Sequence, residues 1–176
     1  MRKIVYSVAM SLDGYLAGPN GEADWIVIDP EIDFAAMMAR FDTLVMGRRT
    51  FEAVRAQGGG EAMPGVTSIV VSRTLRQEDH PGLSIISEDV GGALSRLRAE
   101  PGKDIWLFGG GSLFRSLLDL GLVDTIEVAV IPVLLGDVIP LLPSRSRRTT
   151  LRLVTSKAYK ATGTLGPEYA VVQEAV

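Results

Sequence analysis

The stretch "DIWLFGGGSLFRSLLDLG", residues 104–121, decides how this chain is read. An apolar run ends in three consecutive glycines and a serine, and a second apolar run with different spacing follows at once. The first run has the composition of a buried strand, and the second has helix-like spacing that begins at about Ser112 and is closed by Gly121. The first N–H groups of a helix have no internal partner and sit at the positive end of its dipole. Glycines let a phosphate approach those amides without meeting a side chain, so residues 109–113 are a candidate pyrophosphate cradle. A tight turn that binds nothing is the equal alternative. Two familiar templates fail: the dinucleotide fingerprint needs glycine or alanine where Phe114 stands, and the P-loop needs a lysine that is absent.

Working outward, strand-like runs rich in β-branched residues occur at about 3–10, 43–47, 66–72, 104–109, 124–131, 150–156 and 168–174. Helix-like patterns lie between the early ones. The clearest is expected to start at Asp29 as N-cap, with Pro30 at the first helical position, Glu31 in the first turn and "IDFAAMMARF" behind them. Others begin near Arg49, run through "GGALSRLRAE" and fill "SLFRSLLDL". Strands alternating with single helices imply parallel crossovers, whereas the last three strands follow one another directly. The expected fold class is α/β: a mixed, mostly parallel sheet flanked by helices with an antiparallel C-terminal edge. No repeat or linker divides residues 1–176, so a single domain is expected.

Composition narrows the function. A net charge of −3 and a pI near 5.2 argue against a nucleic-acid partner. Arg145, Arg147 and Arg148 read as a short solvated loop, and "AQGGGEAMPG", 56–65, as a mobile one. The chain has no cysteine, which excludes disulfides and thiolate chemistry, and its single histidine, His80, sits in a loop-like stretch where exposure is expected. Metal sites and a serine–histidine–aspartate triad therefore have little to stand on. The apolar start lacks a cleavage site, and no uncharged run approaches bilayer length, so a soluble cytoplasmic protein with no membrane contact is expected.

Two further turns complement the glycines. Gly47, Arg48, Arg49 and Thr50 follow one strand at the start of a helix, and Ser72, Arg73 and Thr74 follow another. Ligands of open α/β sheets gather outside the carboxyl ends of the strands, so the three turns should meet in one crevice. A ligand with several phosphates suits them, and guanidinium groups suit a terminal monoester. NADPH, with its pyrophosphate and separate 2′-phosphate, fits that description.

In order along the chain, "SVAMSLDGYLAG", "DTLVMGRRTFE", "IVVSRT", "IWLFGGGSLFRSLL", "LVDTIEVAVIPVLLGDVIPLL" and "YAVV" resemble the dihydrofolate reductase-like superfamily. The resemblance is closer to the reductase domain that forms the C-terminal half of bifunctional riboflavin-biosynthesis deaminase-reductases. It implies a dihydrofolate reductase-like three-layer fold, often dimeric, that uses NADPH as hydride donor to reduce a pyrimidine or pteridine-like heterocycle. It further implies that Gly47, Arg48, Arg49 and Thr50 contact cofactor phosphates, that Ser72, Arg73 and Thr74 take the 2′-phosphate end, and that Gly109, Gly110, Gly111, Ser112 and Leu113 hold the pyrophosphate. Ala9 and Met10 would lie against the nicotinamide, Asp13 and Gly14 near the substrate, and Trp25 would wall the substrate cleft.

Folate reductases place a proton-supplying acid on the first helix, and counting back from "MGRRT" puts Glu31 at the comparable position, with Asp13 and water as alternatives. Two departures bear on the substrate: riboflavin-pathway members usually carry glutamate where this chain has Phe108, and lysine where it has Tyr15. The deaminase half is missing. A non-catalytic NADP-binding or sensor protein and a true dihydrofolate reductase are the rival readings. In a homodimer, the strand 124–131 and "PVLLGDVIPLLP" are the candidate interface.

Overall fold

The computed structural model describes residues 1–59, 65–143 and 148–172. Its strands are β1 (Ile4–Ser11), β2 (Tyr15–Ala17), β3 (Phe41–Gly47), β4 (Thr67–Val71), β5 (Ser84–Ile86), β6 (Asp104–Gly109), β7 (Thr125–Ile131), β8 (Ile139–Pro140), β9 (Leu151–Tyr159) and β10 (Thr164–Val171). The helices are α1 (Phe34–Met38), α2 (Arg48–Ala56), α3 (Val90–Ala99) and α4 (Gly111–Asp119). Eight strands form one sheet in the order β5-β4-β3-β6-β1-β7-β10-β9, and β2 pairs with β8 beside it. Neighbours from β5 to β7 are parallel, while β10 runs antiparallel to both β7 and β9. This is the mixed sheet with an antiparallel C-terminal edge that the sequence implies.

Period-two alternation splits the central strands between two cores. Ile4, Tyr6, Val45, Ile105 and Leu107 face one side with Leu94 of α3 and Phe114 and Leu117 of α4. Val5, Leu44, Met46, Val70 and Trp106 face the other with Phe51 of α2. The result is three layers, with Tyr6 stacked on Phe114 at a centroid distance of 3.8 Å.

The two ends of the sheet differ in character. At the amino ends, buried Arg2 donates to Asp42, to Thr43 Oγ1 at 2.6 Å and to the Lys103 carbonyl, while Arg98 grips Asp124 at 2.8 Å. Asp124 also accepts from the Ile4 N–H at 2.8 Å. These polar clamps fasten β1, β3 and β6 together and leave the carboxyl ends to the glycine turns.

Three sequence expectations need correction. The first helix does not start at Asp29, and Glu31 is not on a helix. α1 starts at Phe34, capped by Asp33, whose carboxylate accepts the Ala36 N–H at 2.8 Å. Asp29 is fully buried and accepts from the N–H of Glu31 at 2.9 Å and from the N–H and hydroxyl of Thr162 at 3.1 and 2.9 Å. Asp33, four residues on, takes the cap, and the long-range contact to Thr162 claims Asp29. The final strand begins at Thr164, earlier than expected, because the β9–β10 hairpin pairs Thr164 with Tyr159. His80 is buried at 9 % exposure, edge-on to Phe51 at 5.4 Å. In the sheet, β7 lies between β1 and β10. Arg145, Arg147 and residues 60–64 of the glycine-rich loop lie outside the described residues.

Candidate active site

β3 and β6 are adjacent, yet the helix after β3 leads outward to β4 and the helix after β6 leads the opposite way, past β1, to β7. The chain therefore parts at their carboxyl ends, the place where such sheets open a crevice. The starts of α2 and α4 face each other there. A Cβ added at Gly47 would lie 3.9 Å from Leu113 Cβ and 4.0 Å from the Gly109 carbonyl oxygen and Gly110 nitrogen. One added at Gly110 would lie 3.1 Å from Thr50 Oγ1. Gly109 has φ +147°, a conformation that side-chain-bearing residues rarely adopt. Glycine is thus required by conformation at 109 and by proximity at 110.

Caps distinguish these two helices from the others. α1 and α3 each have an aspartate whose side chain accepts an N–H of the first turn. The N-caps of α2 and α4 are Gly47 and Gly110, with no side-chain cap and no acidic residue in the first turn. Their leading N–H groups and dipole ends are left for an external anion.

A cleft of about 2020 Å³ opens from this point along the sheet. Gly47 to Thr50, Ser72 to Thr74 and Gly109 to Leu113 all line it, so the three turns do meet. Ser72 Oγ accepts the N–H groups of Thr74 and Leu75 at 3.1 and 3.0 Å, a local turn that leaves Arg73 exposed. Arg48 pairs with Glu52 at 2.7 Å, whereas Arg49 and Arg73 make no ion pair among the described residues. The uncapped helix starts and the room beside their glycines fit a dinucleotide diphosphate, with Arg73 positioned for a further phosphate.

Of the other expected site residues, Ala9 lines the cleft, while Met10 points to the other face of the sheet. Trp25 is outside the lining: its indole N–H donates to the Glu22 carbonyl at 3.3 Å, while its neighbours Ala23 and Ile26 line the wall. Asp13 also lies outside. Its carboxylate accepts from the Ser11 hydroxyl at 2.6 Å and from the N–H groups of Gly136 and Leu135 at 2.9 and 3.1 Å. These bonds, the Ser11 hydroxyl's first, hold it below the usual carboxylate range. Glu31 sits on the surface, 3.2 Å from Lys157 Nζ.

Sequence reasoning missed the charged groups deeper along the cleft. On β7, Glu127 is bound by both arms of Arg40, at 2.5 and 3.1 Å. Glu168 of β10 stands directly across from it, and Lys157 and Asp33 complete the charged lining. One signal was available: Glu127 is the only charged residue in the strand "TIEVAVI". Among the described residues no group of three His, Asp or Glu gathers to hold a metal, and no helix is long and apolar enough to cross a membrane.

A mostly parallel sheet with a cleft between glycine-started helices defines a reductase-like α/β protein. The chain belongs to the RibD C-terminal domain family, which matches residues 2–164. It is 31% identical to the uncharacterized protein YyaP of Bacillus subtilis (strain 168), covering 91% of this chain and 90% of that one. Among solved structures, a Shewanella sp. PV-4 protein whose name refers it to riboflavin biosynthesis superposes with a TM-score of 0.81 at 26% identity, covering 98% of this chain and all of that one. The diaminohydroxyphosphoribosylaminopyrimidine deaminase/5-amino-6-(5-phosphoribosylamino)uracil reductase of Thermotoga maritima superposes with a TM-score of 0.71 at 16% identity, covering 97% of this chain but 57% of that one. The last likeness concerns the fold alone.

Proposed function

We propose that the protein is an NADPH-dependent reductase that reduces a pyrimidine or pteridine-like heterocycle. The observation that carries this reading is the pair of uncapped helix starts, Gly47–Thr50 and Gly110–Leu113, that face each other across the cleft. The bound dinucleotide would supply a hydride to the carbon of a C=N or C=O bond. The chain's part is to orient and to exclude water. The N–H groups at both helix starts hold the diphosphate, and Arg73, with Ser72 and Thr74, takes the 2′-phosphate. Ala9 and Gly110 flank the place where the strands of β1 and β6 end, which suits a flat ring lying against backbone. A proton must reach the heteroatom; of the three donors the sequence offers, neither Asp13 nor Glu31 lines the cleft, which leaves water, in a cleft whose own acids are Asp33, Glu127 and Glu168.

Titration of the purified protein with NADPH and with NADH, followed by cofactor fluorescence, tests the reading. NADPH should bind preferentially, and Arg73→Ala should weaken NADPH about tenfold or more while leaving NADH nearly unchanged, as expected for one lost charge-assisted contact. Equal losses for both cofactors would remove the 2′-phosphate assignment. Binding of neither would remove the reductase reading.

A further inference from the structure

The cleft changes sign along its length. At the cofactor end, Arg49 and Arg73 are cations without an ion-pair partner among the described residues, and Arg48 is balanced by Glu52. The other end is built on β1, β7, β10 and β9, the half of the sheet that lies beyond β6. There the lining carries Arg40 and Lys157 against Asp33, Glu127 and Glu168. Both cations are already engaged: Arg40 places its two arms on the Glu127 carboxylate, and Lys157 pairs with Glu31 on the lip. Glu127 and Glu168 are direct cross-strand partners. Like charges in that position destabilise a sheet, and here a single guanidinium serves both carboxylates. The Glu168 carboxylate receives no hydrogen bond among the described residues. The far end therefore offers hydrogen-bond acceptors and surplus negative charge, and each of its cations is paired with a carboxylate.

Two neighbours agree with this polarity. Phe108 lines the cleft beside Trp106, edge to face at 5.0 Å, and adds apolar surface. Ser7 and Ala9 of β1 and Ala129 of β7 give a flat, small-residue floor on which a ring can lie. Among the described residues that line this end, both cations are paired with carboxylates and none belongs to an uncapped helix start.

Resting on the reductase reading, we infer that the substrate end takes a phosphate-free heterocycle rich in N–H donors, and that Glu127 and Glu168 set this specificity. A dianionic phosphate placed there would face three carboxylates against two cations that are already paired, a like-charge contact that disfavours binding. Ring amino and imino groups would instead meet the free lone pairs of Glu127 and Glu168. Arg40 is a positioning residue, since its two terminal nitrogens fix the Glu127 carboxylate and its charge is balanced there.

The test compares 5-amino-6-(ribosylamino)uracil with its 5′-phosphate as probes, by calorimetry on the whole protein with and without NADPH. The phosphate-free probe should bind at least tenfold more tightly. In E127Q/E168Q that ratio should shrink by about tenfold or invert, a change that a merely structural role would not produce. Equal or tighter binding of the phosphorylated probe to the wild type, failure of both probes to bind, or an unchanged ratio in the variant overturns the inference. A parallel NADPH titration separates the two levels: intact cofactor binding with the wrong probe preference sinks the inference alone, and loss of cofactor binding by the wild type sinks the reading beneath it as well.

Discussion

At the scale of one residue, Gly47 gives the sharpest separation of folding from binding. Its φ of −82° and ψ of 160° are open to alanine, and the added Cβ would meet only ordinary contacts near 4 Å from Leu113, Gly109 and Gly110. Gly47→Ala should therefore fold, with a stability change within about 1 kcal/mol. The same methyl would stand in the gap between two helix starts, where a diphosphate needs backbone without side chain. Affinity for NADPH should fall about tenfold or more while the thermal midpoint moves little. An affinity equal to the wild type's would mean that this gap is not the diphosphate's. Gly110 makes a poorer probe, because its Cβ would press on Thr50 Oγ1 at 3.1 Å and mix strain with occlusion.

At the scale of an element, the turn before α1 shows why some of the chain was legible and some was not. Strands β1, β3, β4, β6 and β7 read clearly because both of their faces are buried, so apolar runs and period agree. The Gly109–Leu113 stretch read clearly as a strand-to-helix join because an apolar run stops at three glycines and helix-like spacing follows at once. The short β2, β5 and β8 were illegible, since two or three residues carry no period. Asp29 was misread because propensity cannot tell a helix cap from a carboxylate that anchors a distant hairpin. Its bonds to Glu31 and Thr162 make a prediction about acid stability. The Glu31 N–H, then Thr162, hold the Asp29 carboxyl below its ordinary range, against the opposing effect of burial. A carboxyl whose native pKa is depressed adds stability above its unfolded value near 3.9, and loses it as pH falls through the native value. Asp29→Asn should lower the thermal midpoint at pH 7, and the gap to the wild type should narrow as pH drops below about 4. Midpoints measured by circular dichroism across that range decide it, and a gap independent of pH would show that the charge is not what holds the turn.

At the scale of the molecule, helices cover the two faces of the sheet unevenly. β9 is the free edge, and eight of its nine residues are exposed, Leu151, Leu153 and Val154 among them at 40 to 53%. A nine-residue edge left in water, with Arg152 and Lys157 as its charges, invites pairing by its unmatched N–H and C=O groups, which natural sheets usually charge, shorten or cover. Away from the cleft, the same region borders a groove of about 510 Å³ lined by Phe114, Leu118, Leu142, Leu151 and Tyr169. Antiparallel pairing of β9 with its copy about a two-fold axis, the commonest symmetry of soluble assemblies, would cover both. We propose a second copy of the chain as the occupant, in the homodimer that the reductase resemblance implies; β7 reaches the same groove through Ile126, Val128 and Val130. Light scattering after gel filtration should give about twice the 18.9 kDa chain mass. Leu153→Glu should return the protein to a monomer and leave NADPH affinity unchanged, because Leu153 is not part of the cleft lining. A wild-type monomer at tens of micromolar would end the expectation. A dimer that survives Leu153→Glu would move the interface away from β9.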